Sequence, residues 1–159
     1  GKTVSLIALL SRYRLQRFEN PRQISAYRYP AQYGPRSPKF SRAGIVDAGE
    51  HHIFIASGTA AVIGHQSVHP FDIASQTDET FNNLSLLTRV AQSIELGKAT
   101  SELDENSVLR VYLRNPADYA YVEAQFRATL ERSTKNVAFL HGDICRRELE
   151  IEIDGVRIN

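Results

Sequence analysis

The stretch Asp143-Ile144-Cys145-Arg146-Arg147-Glu148-Leu149-Glu150-Ile151-Glu152-Ile153-Asp154-Gly155 concentrates the groups best able to do chemistry. From Glu148 to Asp154 acidic and apolar residues alternate. Successive side chains of a strand point to opposite faces, so Glu148, Glu150, Glu152 and Asp154 would share one face and Leu149, Ile151 and Ile153 the other. The apolar face belongs to a core. The acidic face has two readings. One is a solvated sheet surface, the ordinary place for carboxylates. The other is a face on which one carboxylate is desolvated against a neighbouring subunit. Desolvation and like-charged neighbours both disfavour ionisation, so such a group would hold its proton near neutral pH and could donate it.

Cys145 is the single cysteine, so the chain has no intrachain disulfide and no cysteine-based zinc site. No histidine pair is evident to activate the thiol, which reads as inert and buried rather than nucleophilic. His51, His52, His65, His69 and His141 show no metal-binding spacing, so neither a metal nor a cofactor is expected.

The elements that must position these groups follow from pattern and punctuation. Val4 to Tyr13 reads as a strand that must end before Asn20-Pro21. Gln23 to Ser41 is rich in Tyr, Arg, Ser and Pro, and its three prolines make it an ordered loop or broken edge. Ala43 to Asp47 and His52 to Ile63 form a hairpin about Gly49-Glu50, and Gly58 within Ser57-Gly58-Thr59 would let a ligand approach the backbone. Thr77 to Leu96 places Phe81, Leu84, Leu87, Ala91 and Ile94 on one helical face, preceded by Ser75 and Asp78 and closed by Gly97. Val108 to Leu113 is a strand. Asn115-Pro116 then caps a helix with Tyr119, Val122, Phe126 and Leu130 on its buried stripe. Val137 to Asp143 and Glu148 to Ile153 complete the order, which implies an α+β domain with helices on one face of a mixed sheet.

With 159 residues, 42% of them hydrophobic, residues 1–159 can bury one core as a single domain. The net charge of +1 comes without any block of like charge, which names no nucleic-acid partner and no membrane surface. The apolar run from Val4 to Leu10 is too short to span a bilayer and lacks a cleavage signal, so a cytoplasmic location fits best. No methionine is present, not even an initiator, as would suit a fragment.

Asp143-Ile144-Cys145-Arg146-Arg147 followed by Glu152-Ile153-Asp154-Gly155 resembles the closing signature of chorismatases, enzymes that remove the enolpyruvyl group of chorismate as pyruvate. Further blocks resemble the same family in the same order: Glu19 to Tyr27, Tyr33 to Pro38, Ser57 to Ala60 with Gly64-His65, and Gln76 to Thr80. The resemblance implies the carboxy-terminal half of such an enzyme, with the amino-terminal half absent, and a YjgF/RidA-like (chorismate mutase-like) mixed β-sheet with two helices packed on one face. It implies that Glu152 is the catalytic acid that protonates the enol-ether methylene carbon, and that Glu148, Glu150 and Asp154 are ordinary surface carboxylates. Glu150 stands where the family tends to be apolar.

Gly58 and Cys145 correspond to pocket positions whose pairing resembles the type that yields 3-hydroxybenzoate rather than a dihydrodiol. Cys145 would act there through size and shape. Because chorismate carries two carboxylates, the resemblance also calls for arginine and tyrosine donors, for which Tyr29, Arg36 and Arg114 are the candidates. YjgF-like domains usually form trimers with pockets between subunits, so a homotrimer is expected. The alternatives are a RidA-like enamine/imine deaminase of the endoribonuclease L-PSP family, suggested by Pro38 to Ala43, Gly58 and Ile151-Glu152-Ile153, or an inactive trimeric remnant of the fold. RidA-like deaminases hold the substrate carboxylate with an arginine where this chain has Val137, and no basic stripe supports RNA cleavage.

Overall fold

The computed structural model describes residues 11–95, 103–130 and 135–158. One six-stranded sheet contains β1 (Leu15–Phe18), β2 (Ala43–Asp47), β3 (His52–Thr59), β6 (Ser107–Leu113), β7 (Val137–His141) and β8 (Ile151–Ile158), in the order β1-β2-β3-β8-β6-β7. Neighbours pair antiparallel except β6 and β7, which are parallel. A small two-stranded ribbon, β4 (Val62–Ile63) and β5 (Gln66–Ser67), follows β3. Two helices, α1 (Ile73–Glu95) and α2 (Tyr119–Thr129), cover one face of the large sheet. Most of the expected strand from Val4 to Tyr13 lies outside the described residues. Ser11 to Arg14 are not part of a strand, and the strand that pairs with β2 is Leu15–Phe18, two residues before Asn20-Pro21.

Helix α1 starts earlier than the expected Thr77, because Asp72 caps it: its carboxylate accepts from the Ser75 amide at 3.1 Å and the Ser75 hydroxyl at 2.7 Å. The expected closing residues Leu96 and Gly97 lie outside the described residues. Leu84, Leu87 and Ala91 are fully buried, with Phe81 and Ile94 packed around them. Helix α2 follows a 3-10 turn, Pro116–Asp118, whose entry is capped by Asn115 accepting from the Ala117 amide at 3.1 Å. Val122 and Phe126 of α2 are buried. Tyr119, expected in the same stripe, is exposed and packs its ring edge-to-face with Phe139.

The core joins Ile45 and Phe54 from the β2–β3 hairpin, Leu109, Val111 and Leu113 from β6, and Ile151 and Ile153 from β8 to the two helices. Leu149, Ile151 and Ile153 are buried as their spacing requires. Strand β8, however, begins at Ile151 rather than at Glu148. Only Glu152 and Asp154 of the four carboxylates lie on the strand, while Glu148 and Glu150 belong to the preceding loop.

Sequence carries a constraint at the centre of the sheet. Gly155 sits on β8 between Ala56 of β3 and Leu109 of β6. A Cβ there would stand 2.5 Å from the Val108 carbonyl oxygen and 2.5 Å from a Leu109 methyl group. Backbone cannot yield as a side chain can, so overpacking at this point strains the ladder. Gly155→Ala is expected to lose about 2 kcal/mol, lowering Tm in thermal unfolding by roughly 4–8 °C. An unchanged Tm would refute this packing.

Candidate active site

Three segments converge above the start of β8. The loop from Gln23 to Ser41 is ordered by two 3-10 turns, Ala26–Arg28 and Ala31–Tyr33, and by the Ser37 hydroxyl donating to the Tyr29 carbonyl at 2.8 Å. Its end is stitched to β3: the Ser57 hydroxyl donates to the Ser41 carbonyl at 2.7 Å and the Ser57 amide to the Arg42 carbonyl at 2.9 Å. The third segment is the loop at 143–150. Together they enclose a cleft of about 610 Å³ lined by, among others, Tyr29, Arg36, Arg42, Gly58, Cys145, Arg146 and Glu152. The volume suits a small-molecule ligand.

The cleft floor depends on an irregularity. Pairing of β3 with β8 slips between Ala56 and Thr59, and Gly58 lies in the slip. The Glu152 carboxyl group lies against the Gly58 backbone so closely that an added Cβ would be 2.8 Å from the Glu152 carboxyl carbon and closer still to its oxygen. A larger residue at position 58 would have to push the Glu152 carboxyl from this place.

Burial foremost, and then the Asp154 charge, hold the Glu152 carboxyl above its ordinary range, with the nearby Arg42 charge opposing both. The Cys145 thiol is likewise pushed up, by desolvation and then by the Glu152 charge. A thiol held in its protonated form is a poor nucleophile. The residue lines the cleft and is exposed, where the sequence pointed to a buried thiol.

Two cations of the cleft were not singled out from sequence. Arg42 is buried, donates to the Tyr29 hydroxyl, and has its guanidinium carbon 4.8 Å from the Phe40 ring centroid and 5.7 Å from that of Tyr29. Its Nε is buried with no hydrogen-bond partner among the described residues. Arg146 lies 4.1 Å over the Tyr33 ring and donates to the His65 carbonyl at 2.8 Å and the Ser67 hydroxyl at 3.0 Å. The available signal was position: Arg42 immediately precedes the apolar run of β2, where a buried arginine needs a purpose, and Arg146 adjoins Cys145 in the signature.

Of the residues chosen from sequence, Tyr29, Arg36, Gly58, Cys145 and Glu152 are brought together. Arg114 is not among the residues lining the cleft. It donates to the carbonyls of Leu149 at 2.8 Å, Ile144 at 2.9 Å and Arg146 at 3.0 Å, and to the Asp143 carboxylate at 2.7 Å. Its donors hold the 143–150 loop in shape.

No family model matches the chain. Comparison with characterised proteins is more telling. The chain is 37% identical over 148 residues to a chorismatase of Streptomyces rapamycinicus and 34% identical over 147 residues to a 3-hydroxybenzoate synthase of Streptomyces hygroscopicus. Each match takes in 87% of this chain and 42% of the relative. A chorismatase crystal structure superposes with a TM-score of 0.78 at 31% identity, covering 91% of this chain and 44% of that one. This chain is a relative of the chorismatases. It spans less than half the length of the chorismatases it matches. Its fold is YjgF-like: a member of the YjgF/YER057c/UK114 family from Mycobacterium tuberculosis superposes with a TM-score of 0.57 at 18% identity, covering 91% of this chain and 98% of that one. That likeness concerns the fold alone. The chorismatase relationship and the expected α+β architecture therefore stand together.

The raised Glu152 carboxyl has a consequence for stability. A folded-state value above the unfolded one means that the folded chain binds this proton more tightly. The associated stability is complete below the ordinary carboxylate value of 4.5 and is lost as pH rises through the folded value. Glu152→Gln keeps the shape and removes the charge. Its Tm is expected to exceed that of the unaltered chain at pH 8, with the advantage vanishing below about pH 4. A difference independent of pH would show that Glu152 ionises freely.

Proposed function

We propose that this chain acts on chorismate, releasing pyruvate from the enolpyruvyl ether and leaving 3-hydroxybenzoate. The observation that carries the reading is the Glu152 carboxyl group, desolvated at the floor of a cleft that also holds Arg42 and Arg146. An enol ether is cleaved by placing a proton on its methylene carbon, which turns the adjacent carbon into an oxocarbenium centre and weakens the bond between the ether oxygen and the ring carbon. A carboxylic acid that keeps its proton near neutral pH is the group for that step. Chorismate has the composition of 3-hydroxybenzoic acid plus pyruvic acid, so the overall conversion requires no oxidant and no net water.

The remaining residues supply binding and shape. Arg42, Arg146 and Arg36 offer positive charge for the two substrate carboxylates. Tyr29 accepts from Arg42, which leaves its own hydroxyl hydrogen to donate into the cleft. Gly58 keeps room for the Glu152 carboxyl, and Cys145 narrows the mouth beside it. A cytoplasmic location accompanies this reading, since a free thiol at a substrate cleft calls for reducing surroundings. No described helix is long and apolar enough to cross a membrane.

The deaminase reading lacks the arginine its chemistry calls for. Val137, where RidA-like deaminases would place their carboxylate-binding arginine, packs against the core, and the Asn136 amide is spent on the Glu105 carbonyl at 2.9 Å.

Incubation with chorismate should release pyruvate and 3-hydroxybenzoate in equal amounts, and Glu152→Gln should lower the rate by at least about a hundredfold. Absence of pyruvate above that variant refutes the reading, and turnover of 2-aminoacrylate in its place would support the deaminase.

The sheet face opposite the helices also calls for a cover. Val108 and Ile158 are 52% and 51% exposed there, beside Leu15 and the half-buried Ile53, Ile55 and Val156. Glu152 and Tyr112 lie on the same face. We infer that copies of the chain close this face as a homotrimer, and light scattering after size exclusion should give three times the chain mass. A monomer at micromolar concentration would count against a complete site.

A further inference from the structure

Glu152 shares its patch of sheet with a second carboxylate that the proposed reaction does not use. Asp154 is the next side chain on the same face of β8. Across the ladder, Tyr112 of β6 is the register partner of Glu152 and Arg110 is that of Asp154. The four side chains therefore form a two-by-two block, in which directly opposed residues are close enough to interact. Arg110 grips Asp154 with both arms of its fork, Nε to Oδ1 at 2.7 Å and NH2 to Oδ2 at 2.8 Å. The Asp154 side chain is 18% exposed and that of Arg110 46%. The Tyr112 hydroxyl faces the gripped carboxylate, 3.5 Å from Oδ2.

A two-armed grip fixes the direction of a carboxylate as well as its charge. An Asp154 needed only as a solvated surface group would have no reason to be held in this way beside the acid. The other groups facing Glu152 come from separate elements: Arg42 from the segment leading into β2, the Cys145 thiol from the 143–150 loop, and the Tyr112 hydroxyl from β6. Tyr112 and Cys145 are both held in their neutral forms, since burial raises each. Two full charges then bear on Glu152, Arg42 favouring its ionised form and Asp154 its protonated form. Arg110 pairs with Asp154 across the ladder, with its guanidinium carbon 5.9 Å from the Tyr112 ring centroid, and partly offsets the Asp154 charge.

We propose that Asp154 is a positioning residue for Glu152: its clamped negative charge keeps the proton on Glu152 against the pull of Arg42, and Arg110 sets how much of that charge Glu152 feels. The proposal deepens the reading of Glu152 as the acid and assigns a task to a carboxylate that the sequence pattern leaves on the surface. It also makes an unusual demand. Removing either member of one ion pair must move the same proton in opposite directions.

The test reads that proton directly. Carbon-13 NMR of glutamate carboxyl groups, with Glu152→Gln to assign the signal, follows Glu152 through a pH titration in the unaltered chain, Asp154→Asn and Arg110→Gln. Pyruvate release from chorismate is measured over the same pH range. Asp154→Asn should shift the Glu152 titration to lower pH and reduce pyruvate release at pH 8 by roughly tenfold. Arg110→Gln should shift the titration to higher pH and extend activity in that direction.

A purely structural pair would lower Tm in both variants and leave the Glu152 titration in place, which overturns the proposal, as would shifts of the same sign. Opposite shifts in a chain that releases no pyruvate would uphold this inference and refute the chorismate reading instead.

Discussion

The guanidinium of Arg114 is the point on which the site turns. It leaves the end of β6 and meets three backbone carbonyls and one carboxylate of the 143–150 loop, and its own amide donates to the Glu150 carbonyl at 3.0 Å. Gln76 closes the loop from the side of α1: its side-chain amide nitrogen donates to the carbonyls of His69 at 2.8 Å and Glu148 at 2.7 Å, and its oxygen accepts from the Glu150 amide at 2.8 Å. A buried carbonyl without a partner costs about 1–3 kcal/mol. The loop lies at the surface with only Ile144 and Leu149 buried, and two long side chains answer its inward-facing carbonyls. Cys145 and Arg146 hang from it on the cleft wall, and Glu152 lies just inside the strand that follows.

Close approaches then set the geometry that the loop permits. Gly155 lets β8 lie between β3 and β6 without a side chain against the Val108 carbonyl. Gly58, in the slipped register of β3, lets the Glu152 carboxyl settle against the backbone. Asn83 extends the polar seam of α1, donating to the carbonyls of Ala60 and Val62 at 3.0 Å, and so holds the segment that follows the slip. The fully buried polar residues of α1, Gln76, Thr77, Thr80 and Asn83, cluster towards its beginning, nearest the cleft, while the apolar Leu84, Leu87 and Ala91 continue the stripe beyond them. One helix thus serves the core with its later turns and the site with its first.

Periodicity found what periodicity encodes. The buried stripe of α1, the β2–β3 hairpin and the core positions Ile151 and Ile153 were legible because hydrophobic spacing is a local signal. The same signal misled at Glu148 to Glu150. Leu149 is buried, but in a second cluster with Ala60, Ala61, Val62 and Ile144, so the alternation runs from loop into strand without marking the boundary. Arg114 was legible as a carboxylate-binding type and not as a loop clamp, because its partners are carbonyls some 30 to 35 residues away that no side-chain pattern records. Arg42 was missed for the opposite reason: an arginine beside an apolar strand looks like its solvated end until the Phe40 and Tyr29 rings are seen to enclose it.

A cleft that must both attract a dianion and keep an acid protonated faces a conflict, since the cation that binds the substrate also pulls the proton from the acid. Arg42 opposes the burial of Glu152 in this way. On the proposed function the conflict resolves itself when substrate arrives. A substrate carboxylate against Arg42 cancels the positive charge that Glu152 feels, and the substrate displaces water from the cleft, so both changes favour the protonated carboxyl. Proton retention would then be strongest in the loaded cleft, where the enol ether waits to receive it, and weakest in the empty one.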